Sequence, residues 1–388
     1  LDALRGLAAL VVVFEHSLDV LFPEVRRNAS PWFNFGRYGV FVFFLVSGYI
    51  VPASLERRGD LRAFWIGRLL RLYPLFAVAA LLGVALAATG VAWPLPSPLT
   101  DRPWMGALAH ATMLQDVLGV PSVVNVFWTL SYEMVFYLLV AAMFAAGAHR
   151  ASAPAAALFA AAAAAVGAAL PVWLIAFRWQ MGSVAVTAAV LAAGLLAMMF
   201  GTGRIRLYGA VVPAVLALAL LTVNSRVGGM ESLAILATMF AGTALYRIER
   251  GQVSRRPASA LVALVPALTV AAGAWAAFTT ADASWDWPIA VTAAWLTFLL
   301  GWSLRHRGMP RVLAWLGLIS YSLYLLHTPV LQVVWRLTGD PDDMALAERL
   351  GWAVAAIACV VAAAAFTYRA VERPMQRLAR RLSRRPAA

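Results

Sequence analysis

The sequence predicts an all-α fold, a polytopic transmembrane helical bundle of about 10–12 spans with both termini in the cytoplasm. Three observations predict it. Of the 388 residues, 63% are hydrophobic and 13% charged, with mean hydropathy +0.79; ordinary soluble domains are about half apolar and about a quarter charged. Apolar runs near the ~20 residues that cross a bilayer recur along the whole chain. All 31 basic residues are arginine, and they collect in alternate connections. This composition excludes a soluble dehydrogenase, a nucleic-acid-binding module and a disordered regulator. The net charge of +13 reads as arginine in cytoplasmic loops, so no nucleic-acid partner is expected.

Twelve segments qualify in order: 3–22, 38–55, 72–93, 126–146, 154–177, 184–201, 207–223, 231–246, 258–279, 288–304, 312–335 and 350–368. Pro, Gly and Asp punctuate the connections, as at Pro94–Pro98 and Gly339–Pro341. With the N-terminus inside, 23 of the 31 arginines fall on the cytoplasmic side, as the positive-inside rule requires. The other side receives the acidic connections at Asp282/Asp286 and Asp340/Asp342/Asp343. The connection from Pro94 to Asn125 is too long for a turn; its helical stretch near Trp104–Leu118 either lies along the outer surface or dips into the protein. Residues 374–388 form a basic tail suited to anionic lipid of the inner leaflet.

Ionisable side chains inside spans are costly, about 2.5–3.5 kcal/mol at the helix centre, and mark function by default. The first span holds Arg5, Glu15 and His16. Eleven positions at ~100° return Arg5 and His16 to nearly one face, ~16 Å apart along the axis. Arg5 then sits at the cytoplasmic mouth and His16 near or beyond mid-membrane. Glu133 enters two turns into the fourth span, after Trp128-Thr129-Leu130-Ser131-Tyr132. His327 ends the run Ser320-Tyr321-Ser322-Leu323-Tyr324-Leu325-Leu326-His327-Thr328-Pro329, near the outer face. Arg68 and Arg71 share a helix face just before the third span, and forked guanidinium groups suit phosphate. The blander readings are a packing histidine for His16, an interhelical ion pair for Glu133, an interfacial aromatic belt for His327 with its tyrosines, and ordinary cytoplasmic arginine for Arg68 and Arg71.

Several segments together resemble the membrane acyltransferases of the acyltransferase-3 group. Leu1-Asp2-Ala3-Leu4-Arg5 leading to His16 resembles that family's opening signature, an Arg followed eleven positions later by a His. Gly39 to Tyr49 resembles its second-helix signature, and Arg68, Arg71 and Pro74 its Arg-x-x-Arg element. Trp128 to Glu133 with Phe136-Tyr137, Ser320 to Pro329, and Glu372-Arg373-Pro374 follow in the family's order. Such proteins are usually described with ten or eleven spans, fewer than the twelve segments found here.

The resemblance implies a membrane acyltransferase domain over residues 1–373, in the bacterial cytoplasmic (inner) membrane. It implies transfer of an acyl group, usually acetyl, from cytoplasmic acyl-CoA to a carbohydrate or glycoconjugate hydroxyl. No permanently bound cofactor or metal is expected; acyl-CoA is a co-substrate, and the other partners are the acceptor and membrane lipids. His16 is the expected catalytic base or acyl carrier, with Glu133 orienting it or lining the acceptor site. Arg5, Arg68 and Arg71 are expected to hold the donor. Ser47, Tyr73, Trp128, Tyr321, Tyr324 and His327 are expected to bind the acceptor or support the site. One corridor is expected to join the arginine vestibule to His16. The rival class is a twelve-span secondary transporter or flippase for a sugar-containing substrate, although no repeated half is visible.

Overall fold

The computed structural model describes residues 1–175, 179–279 and 284–383. The described residues form seventeen α-helices, a few short 3-10 turns and one π-helical turn, and no strand occurs among them. In chain order they are α1 (Asp2–Leu21), α2 (Pro23–Ala29), α3 (Phe35–Arg58), α4 (Leu61–Ala88), α5 (Ser97–Asp101) and α6 (Pro103–Thr112). Then follow α7 (Trp128–Ala145), α8 (Ser152–Ala165), α9 (Gln180–Phe200), α10 (Gly203–Asn224), α11 (Gly228–Glu249) and α12 (Arg255–Thr279). The last are α13 (Asp286–Ser303), α14 (Arg311–Leu318), α15 (Ser320–Thr338), α16 (Leu346–Thr367) and α17 (Arg373–Leu382).

Each of the twelve apolar segments contains a helix, but only eight helices among the described residues are long and apolar enough to cross a membrane. The number is nine if α14 and α15, bent by 70° at Ile319, count as one span. The difference from twelve has a local cause in each case. α1 carries Asp2, Arg5, Glu15 and Asp19 within 20 residues. α8 stops after 14 residues, before a 3-10 turn at Gly167–Ala169. α13 has 18 residues and opens on Asp286. The expected end of the fifth segment, Phe177, lies outside the described residues, as do Asp282 and residues 384–388 of the tail.

α3, α7 and α11 form the inside of the bundle, whereas α4, α9, α12 and α16 present most of their surface outward. Lipid supplies no hydrophobic drive between helices, so close backbone approach through small residues sets such contacts. At the α3–α11 crossing a side chain on Gly48 would strike the Met239 carbonyl, and one on Gly242 the Leu45 carbonyl. The Thr243 hydroxyl seals the same crossing by donating to the Gly48 carbonyl (2.8 Å). Caps hold the ends: the Asn34 side chain accepts from the Arg37 N–H (2.8 Å), and Gly59 closes α3 in the left-handed region at φ 62°.

α1 runs parallel to α14 and α15. Gly6 abuts Gly317, His16 meets His327, and Leu21 clusters with Val334. Glu15 turns away from this seam: it accepts from Arg26 of α2 (2.7 Å) and from the Gly36 N–H at the start of α3. The long connection dips into the protein. Its helix α6 is capped by Met113 at φ 54°, and Met105, Ala109, Met113, Gln115, Val117 and Leu118 are buried. His110 pins the return: its Nδ1 donates to the Gly106 carbonyl (2.8 Å) and its Nε2 accepts from the Val123 N–H (3.1 Å). Burial pushes the His110 pKa below the ordinary histidine value, which keeps it in the neutral form that both bonds require.

Candidate active site

Two cavities lie one above the other along α1 and α15. The larger, about 720 Å³, is walled by α1, α15 and the long connection. α1 gives it His16, Asp19 and Val20; α15 gives it Thr328, Leu331, Gln332 and Trp335. Each set follows the i, i+3, i+4 spacing of one helix face. The connection and the α10–α11 loop add Trp93, Asp116, Asn125 and Arg226. The smaller cavity, about 60 Å³, is lined by Arg5, Ser47, Thr129, Glu133, Tyr321 and Tyr324 among others.

His16 stands at the floor of the larger cavity. Its Nδ1 donates to the Val12 carbonyl one turn back (2.9 Å). A carbonyl only accepts, so that bond puts a proton on Nδ1, and in the neutral ring Nε2 is the nitrogen left to act as a base. His327 is fully buried beside it, ring against ring edge-on, with centroids 4.9 Å apart. Its Nδ1 likewise donates to the Leu323 carbonyl (3.2 Å), and its Nε2 has no partner. Tyr324 continues the layer, 5.9 Å from the His327 ring. The Tyr324 hydroxyl donates to the Val126 carbonyl (3.2 Å) and pairs with Thr129 Oγ1 (2.9 Å).

The two cavities are therefore separate, with the three rings of His16, His327 and Tyr324 between them. The partition is thin: Tyr324 lines the lower cavity and Thr328, one turn later, the upper. One turn of α-helix rises about 5.4 Å.

Below the layer the charges cluster. Glu133 accepts from Ser47 Oγ (3.3 Å) and from the Tyr137 hydroxyl. Its bonds thus lie in the lower cavity, not on His16. Arg68 packs between the rings of Phe64 and Tyr137, 5.6 and 5.5 Å from their centres, and donates to Ser54 Oγ (3.1 Å). Its Nε is buried without a partner. Arg71 stands within electrostatic reach of Arg5, Tyr321 and Glu372. Glu372, 2% exposed, ends a π-helical turn (Tyr368–Glu372) and accepts from Ser322 Oγ. Arg5, Arg68 and Arg71, half-buried, against half-buried Glu133 and buried Glu372 leave this cluster with a formal excess of positive charge.

Of the remaining sequence candidates Tyr321 stays at the lower cavity, while Tyr73 and Trp128 lie outside both. The Tyr73 hydroxyl donates to the Ala111 carbonyl (2.7 Å) and ties α4 to the end of α6. The Tyr321 hydroxyl donates to the Leu72 carbonyl (2.9 Å). Trp128 lies under the Arg226 guanidinium, 5.9 Å from its ring centre. Of all the residues expected to act, only His16 lines the larger cavity.

Sequence reasoning passed over the other walls of that cavity. Asp116, Arg226, Trp93 and Asn125 come from connections, where no periodicity signals a face. Arg226 Nε pairs with Asp116 Oδ1 (3.2 Å). Desolvation by burial pushes the Asp116 carboxyl up to about 6, although Arg226 pulls the other way. Trp93 and Trp335 form an edge-on pair at the rim, 5.8 Å apart.

A family model described as an acyltransferase domain, that of the acyltransferase-3 group, matches residues 1–369. Among curated relatives, nodulation protein 10 of Rhizobium leguminosarum bv. viciae is 30% identical over 152 residues, covering 35% of this chain and 41% of that protein. Acyltransferase MdmB of Streptomyces mycarofaciens is 28% identical over 145 residues, covering 36% and 37%. A putative O-acetyltransferase of Staphylococcus aureus (strain COL) is 36% identical over 95 residues, covering 23% and 14%. The chain thus aligns with about two-fifths or less of the length of these relatives. No solved structure matches.

Proposed function

Because the chain belongs to the acyltransferase-3 family, we propose that it moves an acyl group, acetyl in the first instance, from cytoplasmic acyl-CoA to a hydroxyl of a carbohydrate or glycoconjugate at the bacterial inner membrane. One observation carries this reading. An imidazole with a free Nε2 forms the floor of an open cavity, and a guanidinium cluster lies directly below, behind a layer one ring deep.

The arginine cluster faces the cytoplasm in this reading, as the positive-inside rule favours. Arg68, Arg71 and Arg5 hold the donor's phosphates, for which forked guanidinium groups are suited. The donor's arm carries the thioester upward past Tyr324. At about 60 Å³ the lower cavity is too small for that arm, so the side chains around it part when the donor binds. The acceptor sits in the upper cavity, whose volume falls within the ~300–1,000 Å³ common for small-molecule sites. Trp93 and Trp335 offer ring faces to a sugar, while Asp19, Asp116, Asn125 and Gln332 offer polar groups to its hydroxyls. His16 Nε2 removes the acceptor proton as the hydroxyl oxygen attacks the thioester carbon. The putative O-acetyltransferase name of the staphylococcal relative favours acetyl among acyl groups.

The test uses membranes from an expressing host, [14C]acetyl-CoA and mixed methyl and p-nitrophenyl glycosides. Labelled ester should form with the wild type and vanish with His16→Ala at equal protein. Undiminished label with His16→Ala overturns the base assignment. Glycoside flux in proteoliposomes without ester formation would favour the transporter reading instead.

A further inference from the structure

Acyl transfer creates a negative charge that the base does not neutralise. When the acceptor oxygen attacks, the carbonyl π pair moves onto the acyl oxygen, and a positioned hydrogen-bond donor lowers that barrier. The structure points to one side chain for it. Along α15, Thr328, Leu331, Gln332 and Trp335 face the upper cavity, and Thr328 is the deepest of them. Along the parallel helix α1, His16 is the deepest of His16, Asp19 and Val20. The contact of His327 with His16 sets the two helices in register at this level. Thr328 therefore stands at the floor with His16, one turn above Tyr324 of the lower cavity, where an arriving thioester would lie.

The hydroxyl is free to act. Threonines within helices ordinarily bond back to the preceding turn, and here Thr243, Thr269, Thr338 and Thr367 all donate to the carbonyl four residues earlier. Thr328 Oγ1 is buried and has no hydrogen-bond partner. A buried donor at the lining of the cavity works in a water-poor setting, where such bonds count most. Its neighbours cannot replace it. His327 has its Nδ1 proton on the Leu323 carbonyl, which leaves Nε2 an acceptor. The Tyr324 hydroxyl is already engaged with Val126 and Thr129.

We propose that the Thr328 hydroxyl is the oxyanion donor of the transfer step. The inference rests on the acyl-transfer reading above. The acceptor O–H gives its proton to His16 Nε2 as its oxygen bonds to the acyl carbon. Thr328 O–H donates to the oxyanion. The carbonyl then re-forms, the C–S bond breaks, and the leaving CoA thiolate takes the proton from His16. Acceptor alcohol and acyl-CoA become ester and free CoA, with no other reactant.

The experiment compares wild type, Thr328→Val and Thr328→Ser in the [14C]acetyl-CoA assay, with His16→Ala as control. Removing an oxyanion donor costs about 10²–10³-fold in kcat. The valine variant, nearly the same shape, should lose on that order in kcat. Its acetyl-CoA KM should stay within about 2-fold and the pH profile should be unchanged, because the base is intact. The serine variant should recover most of the rate. Valine at wild-type kcat, a loss confined to the acetyl-CoA KM, or serine as poor as valine would each overturn the proposal while acyl transfer by the wild type stands. No ester from the wild type would overturn the acyl-transfer reading, and this assignment with it.

Discussion

His16 and His327 come from opposite ends of the chain and meet edge-on with ring centroids 4.9 Å apart, each with its Nδ1 donating to a carbonyl of its own helix. The contact closes the floor of the upper cavity and fixes the direction in which the free nitrogen of His16 points.

His327→Ala should therefore act on both stability and rate. Truncating a fully buried side chain of this size costs about 2–4 kcal/mol, read as a lower unfolding temperature in detergent. The loosened His16 should lower kcat about tenfold or more while the acyl-CoA KM changes little. His327→Phe refills the space and should recover most of the stability.

Arg68 and Arg71 belong to a half-buried cluster in which guanidinium groups outnumber carboxylates. Arg68→Ala and Arg71→Ala should each raise the acyl-CoA KM about tenfold, corresponding to about 1.4 kcal/mol, with smaller effects on kcat. Titration of initial rates against acetyl-CoA checks this; an unchanged KM in both variants removes these residues from the donor site.

The Asp116 carboxyl is pushed up to about 6 in the folded protein, above the about 3.9 of an unfolded chain. Between those two values the folded state holds a proton that the unfolded state has released. Stability should thus rise as pH falls through about 6 and level off near 4. Asp116→Asn should remove that part of the pH dependence. Unfolding temperatures at pH 5 and 7 for both proteins measure the difference, and identical pH slopes would count against the shifted carboxyl.

Gly48 lies where α3 meets the carbonyl of Met239 on α11. Gly48→Ala forces the two inner helices apart and should cost about 1–3 kcal/mol, as overpacking does. Gly59→Ala, at a left-handed turn with open space around it, should strain only the local backbone by about 1 kcal/mol. Thermal unfolding of the two variants separates packing from turn strain; equal losses would show that the α3–α11 approach is not tight.

Much of the bundle was legible because long apolar runs in a chain of this composition form helices, and eleven of the twelve apolar segments are helical over most of their length, the fifth only to Ala165. The span count was not, because hydropathy does not reveal how short α8 is or that α14 and α15 bend by 70°. For the site, Arg5, His16, Glu133 and His327 stood out as costly polar residues in apolar runs. Helical spacing placed Arg5 and His16 on one face, and they do line successive cavities along α1. What remained hidden depends on which helices are neighbours. The i, i+4 spacing allows Glu133 to meet Tyr137 on α7, but nothing in the spacing tells that His327 reaches His16 or that Ser47 of α3 donates to Glu133. Asp116 and Arg226 sit in connections far apart in sequence, and only the inward fold of the first brings them together.

The ring layer carries an electrical consequence. A protein with ionisable side chains along its inner helices must not let protons run through them. Proton hopping through an imidazole needs one nitrogen to receive and the other to release. In both histidines of the layer Nδ1 is committed to a carbonyl of its own helix, so a proton arriving at either Nε2 meets a dead end. The same two hydrogen bonds that fix the histidine tautomers thus break the chain of proton carriers through the layer.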